Sequence, residues 1–100
     1  MSSDAAQRLA SAIERLAVPL RMGDGVDEQA LDDLRRTLSD AAVRWRTEDV
    51  VPKRAAALLV ELYPALVGTV DLYEGGDAER IRNICEELLE LSLECLDGEH

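Results

Sequence analysis

Leu31, Leu34, Leu38, Ala41, Ala42 and Trp45 recur at steps of three and four, with Asp32, Asp33, Arg36, Asp40 and Arg44 between them. That spacing gathers the apolar side chains on one stripe of a 3.6-residue helix and turns the charges to water. It predicts helix 2 over 28–45. Asp27 is the expected N-cap, with Val26 and Leu31 placed as the two halves of a hydrophobic staple. Ala6, Leu9, Ala10, Ile13, Leu16 and Ala17 keep the same rhythm and predict helix 1 over 4–18, capped by Ser2, Ser3 or Asp4. Pro19 lacks an N–H and crowds the preceding turn, so helix 1 is expected to end or kink there. Leu20 and Met22 are expected to pack beyond it, before Gly23 and Gly25 supply a turn.

The second half of the chain reads differently. Helix 3, expected over 52–73, carries only Glu61 and Asp71 as charges between residues 55 and 72. Pro52 suits its first turn, and Pro64 should bend it by leaving the Val60 carbonyl without a helical donor. Gly75 and Gly76 are expected to end it, with Asp77 capping helix 4 over 78–96. Helix 4 shows one stripe at Ile81, Ile84, Cys85, Leu88, Leu91 and Cys95. A second group, Leu89, Leu93 and Leu96, widens that stripe past half the circumference.

Four amphipathic segments with short links predict an all-α, antiparallel four-helix bundle formed by residues 1–100 as a single domain. Leu, Val, Ile and Ala must fill its core, because only 3% of the chain is aromatic and Phe is absent. A 100-residue chain has little protein with which to surround a helix that is apolar on nearly every side. Helices 3 and 4 are therefore expected to form a dimer or partner interface through Leu59, Val60, Tyr63, Val67, Leu89, Leu93 and Leu96.

Charge narrows the partners. The formal net charge is −10, and it is uneven: −3 over residues 1–50 and −7 over residues 51–100, with no Lys or Arg after Arg82. Such a chain is repelled by nucleic-acid phosphates and anionic lipid surfaces. No apolar run is expected to be long and uncharged enough to span a bilayer, and the N-terminus lacks the pattern of a secretory signal, so a cytoplasmic location is expected. Ten of the eleven basic residues are Arg, the bias that GC-rich bacterial coding produces.

Two charged surfaces stand out. Glu86, Glu87, Glu90, Glu94 and Asp97 form an acidic ridge on helix 4, while Arg35, Arg36, Arg44, Arg46, Lys53 and Arg54 form a basic patch around the helix 2 to helix 3 connection. Charge runs on helices are usually solvated faces, and basic residues ending helix 2 also complement its dipole. The ridge alternatively selects a basic protein surface or the chain's own basic patch.

Chemistry has little footing in the sequence. The only histidine is His100, and no phosphate-binding loop, nucleophile elbow or zinc-helix motif occurs. Cys85 and Cys95, ten residues apart on one helix, stand about 15 Å apart and cannot bridge; buried thiols are expected. No enzyme activity, cofactor or metal is expected. The chain reads as a small acidic, non-enzymatic protein-interaction or regulatory module, homodimeric or bound to a protein with a basic surface. Two alternatives remain: a bundle binding an apolar ligand near Glu61 and Tyr63, and an acidic inhibitor or immunity-type protein binding a basic target.

Overall fold

A computed structural model describes residues 3–46 and 51–97. Four α-helices form: α1 over Ser3–Arg21, α2 over Glu28–Arg46, α3 over Lys53–Val67 and α4 over Gly75–Asp97, with a 3-10 helix over Gly68–Leu72 between the last two. No strand occurs among the described residues, and the architecture is the expected all-α four-helix bundle. It measures 42 × 26 × 20 Å.

Helix boundaries follow local chemistry, with several departures from the sequence reading. Asp27 caps α2 as expected: its carboxylate accepts the Ala30 N–H at 3.1 Å and its carbonyl accepts the Leu31 N–H at 2.9 Å. Pro19 does not end α1, which runs on to Arg21; this close to the C-terminus its missing N–H spoils only one bond, and buried Leu20 holds the last turn. Met22 does not pack in and is 71% exposed. Gly23 and Gly25 make the turn at φ +78 and +92, where a side chain would strain the backbone.

Helix 3 is not continuous to residue 73. Pro64 lies inside it, the α-helix stops at Val67, and the chain tightens into the 3-10 turn before Tyr73 becomes extended. Gly75 and Gly76 open α4 instead of closing α3. Asp77, the expected cap, lies instead in the first turn of α4, two residues after its start at Gly75, where its charge still meets the positive end of the dipole. The expected caps of helix 1 and the connection over 47–50, with Glu48 and Asp49, lie outside the described residues.

One core serves all four helices. Leu9, Leu16, Leu20, Leu31, Leu34, Leu38, Leu59, Leu62, Leu66 and Leu88 are all buried, joined by Ile81, Cys85 and Trp45. Around the core, α1 packs on α2 and α3, and α4 packs on the same two helices; among the described residues α1 does not pack on α4, nor α2 on α3. The order around the bundle is therefore α1, α2, α4, α3. Helices joined by short turns are antiparallel, as expected, but α2 and α4 run parallel. Glu28 meets Arg80, Arg35 meets Glu87 and Leu38 meets Cys95, pairs that advance together along both helices.

The stretch Lys53–Leu72 is long and apolar enough to cross a membrane by length and composition, with a mean hydropathy of 1.5. This corrects the expectation that no apolar run could span a bilayer. A third of it, 33%, is buried in the bundle, and the backbone changes from α to 3-10 within it.

Candidate interaction surface

Two contacts fix which flank of each helix meets which neighbour. Arg54 on α3 shares a shallow groove with Gln7, Ser11 and Arg15 of α1, so the other flank of α3, at Val60, Tyr63 and Val67, turns toward α4. Glu87 on α4 meets Arg35 of α2, so Leu89, Leu93 and Leu96, at four and three residue steps on the other flank, turn toward α3. The seven-residue interface expected from sequence thus falls along one seam between α3 and α4, with one exception.

The exception is Leu59. It is 2% exposed and belongs to the chain's own core, one residue's rotation away from the surface position of Val60. Val60 is 65% exposed, Leu93 54% and Leu96 37%. Tyr63, Val67 and Leu89 are half-buried and form the floor from which those three rise. Val18, Met22, Val43 and Leu72 are the other large apolar residues exposed among the described residues. Single exposed apolar residues are ordinary on protein surfaces; a row of them along one seam is not.

The acidic ridge borders this seam. Glu86, Glu90 and Glu94 are exposed and make no hydrogen bond or ion pair among the described residues, and the Asp97 side chain lies outside them. Glu87 is set apart from the ridge, because it takes both Arg35 Nε at 2.7 Å and Arg35 Nη2 at 2.9 Å. This fork-to-carboxylate pair, with Asp32 at 3.3 Å, raises the Arg35 pKa above its ordinary value. One member of the basic patch therefore meets one member of the ridge within the same chain. Glu28 and Arg80 make a second such clamp between α2 and α4, at 2.6 and 2.8 Å, which sequence spacing alone gave no means of finding.

The remaining basic patch does not converge on one point. Arg36 lines a groove between α1 and α2, Arg54 faces α1, and Arg44 borders a recess beside Trp45. Arg46 and Lys53 are exposed on either side of the connection at 47–50. Trp45, 3% exposed, is a core residue.

Glu61 is exposed and Tyr63 half-buried, and residues two apart on a helix do not share a face, so the two side chains do not line one interior. Cys85 and Cys95 are free and buried. Burial pushes both thiols up to about 11, aided by the neighbouring charges of Glu86 and Glu94 respectively, and Cys95 Sγ lies 3.2 Å from the Leu38 carbonyl. Neither is a ready nucleophile at neutral pH. Among the described residues no group of three His, Cys, Asp or Glu is placed to hold a metal ion. His100 lies outside the described residues. No protein-family model, no curated protein and no solved structure matches the chain.

Proposed function

We propose that this chain is a small acidic, non-enzymatic protein-interaction module that works through the outer face of α3 and α4, associating with itself or with a protein of basic surface. The observation that carries the reading is the seam itself. Exposed Val60, Leu93 and Leu96 rise from half-buried Tyr63, Val67 and Leu89, beside three carboxylates with no partner among the described residues. Apolar surface of this kind is removed from water by association, at roughly 25 cal/mol per Å². These carboxylates select the partner by charge and speed its approach. The two unbridged thiols suit a reducing, cytoplasmic setting.

The test is Leu93→Glu, followed by light scattering after size exclusion and by circular dichroism on the same sample. The wild type is expected to self-associate at high micromolar concentration, and the variant to run as a monomer of unchanged helicity. Leu93 is half-exposed, so the new charge meets water in the isolated chain and is penalised only in the complex. Loss of helix together with loss of assembly would show that Leu93 supports the fold and that the face is no separable interface. A monomeric wild type that captures a basic protein through the ridge, in a salt-sensitive way, would leave the inhibitor-type reading in place of self-association.

A further inference from the structure

The order α1, α2, α4, α3 sets the α1–α2 seam on the side of the bundle opposite the α3–α4 seam. That opposite side holds an open groove of about 640 Å³. Ser11, Ala12 and Thr37 are too small to fill the space between the helices, while Arg8 and Arg15 of α1 and Arg36 of α2 stand along its rims together with Asp33 and Asp40 of α2. At one end the groove continues into a recess walled by Leu9, Ala41 and Trp45. Arg15 pairs with Asp33 at 3.1 Å. Arg8 and Arg36 make no hydrogen bond or ion pair among the described residues, in a chain with 21 acidic residues and 11 basic ones.

We propose that this groove receives the α3–α4 face of a second copy of the chain, so that copies associate head to tail. The proposal rests on the reading of that face as an interaction surface and names its partner. Charge complementarity decides between the two ways in which copies could meet. Seam against seam would set Glu86, Glu90 and Glu94 of one copy close to the same residues of the other, and like charges across an interface are strongly disfavoured. Seam against groove sets them against a lining of three arginines and two aspartates, whose net charge is positive.

Spacing agrees with this. Arg8 and Arg15, seven residues apart, stand on one side of α1 at an interval of about 10 Å, and Glu86 and Glu94, eight residues apart, span about 12 Å of α4. An α4 helix laid along the groove therefore brings carboxylates and guanidiniums together at matching steps. The recess beside Trp45, part apolar at Leu9 and Ala41 and part charged at Arg8, Asp40 and Arg44, gives an exposed leucine of the same face a seat. Because groove and face lie on opposite sides, each contact leaves one of each unfilled, and assembly is open-ended, not a closed pair.

Two variants test the arrangement: the groove variant Arg8→Glu with Arg36→Glu, and the face variant Leu93→Glu, both followed by sedimentation velocity and circular dichroism. All three positions are exposed in the monomer, so helicity should be unchanged. The wild type should give a mass distribution that grows with concentration and shrinks with added salt. Each variant alone should be monomeric where the wild type associates, an affinity loss of at least about tenfold. Mixed in equal amounts, they should form a heterodimer that grows no further, the groove variant supplying the intact face and the face variant the intact groove. A groove variant that associates like the wild type, alongside a monomeric face variant, would overturn the groove as partner and leave the α3–α4 face as a self-complementary interface. A mixture that stays monomeric, or a wild type monomeric at every concentration, would also overturn the head-to-tail contact; only the latter removes self-association through the face as well.

Discussion

The phenol of Tyr73 accepts the Gly25 N–H at 3.0 Å across a separation of 48 residues, and donates to the Leu20 carbonyl at 2.9 Å. One hydroxyl thus holds both sides of the α1–α2 turn to the end of the 3-10 helix. Gly25 lies in the turn between α1 and α2, outside either helical ladder, and this oxygen satisfies its N–H.

Tyr73→Phe removes both bonds and leaves the ring. The expected loss is about 1–3 kcal/mol, since the Gly25 N–H loses its acceptor in a part-buried site, while the Leu20 carbonyl keeps the Gly23 N–H. Urea unfolding measures it. A loss within error of zero would show that water replaces the hydroxyl at no cost.

Asp27→Ala should lower stability by about 1 kcal/mol by orphaning the Ala30 N–H at the start of α2. Asp27→Asn, which keeps an acceptor oxygen, should recover most of that. Chemical denaturation of the three proteins side by side reads the difference. Equal stability of the Ala and Asn variants would exclude capping as the cause.

The carboxyl of Glu28 is held below the ordinary glutamate range by its hydrogen bonds from Arg80, against a smaller opposing effect of desolvation. A depressed folded-state value contributes stability that is present above the unfolded value and fades as pH falls through the folded one. Carbon-detected NMR titration of Glu28 should show the low midpoint. Arg80→Gln should return it toward normal, and an unmoved midpoint would mean that the clamp is absent in solution.

Cys85 and Cys95 are expected to label slowly with thiol reagents at pH 7.5 in the native state and at once when unfolded. With both thiols raised from 9.0 to about 11, the unfolded chain ionises first as pH rises. Their stabilising effect is therefore complete below about pH 9 and is lost between there and about pH 11. Cys85→Ala and Cys95→Ala should each destabilise by roughly 1 kcal/mol and flatten that alkaline limb. Fast native labelling of either thiol would contradict its burial.

The sequence by itself determined the four helices, the stripes that α1, α2 and α4 bury, the Asp27 cap and the glycine turn at Gly23 and Gly25. These depend on periodicity and on backbone chemistry within a few residues, which are local properties of the chain. It also placed Leu93 and Leu96 outside the core, because their angular positions on helix 4 fall beyond the seam that one bundle can cover. It misplaced Leu59, since an all-apolar helix gives no internal signal for which flank turns inward. The same lack of contrast hid the change from α to 3-10 after Val67, where Pro64 and Gly68 weaken the helix and buried Val70 sets the path. Only the tertiary structure decided the order of the helices around the core. With α2 and α3 on a diagonal, α2 and α4 become parallel neighbours, Arg35 finds Glu87, Arg80 finds Glu28, and the arginine-rimmed groove comes to lie opposite the apolar seam. None of these pairs is closer than 50 residues in sequence, and their meeting is a consequence of how the stripes share one core.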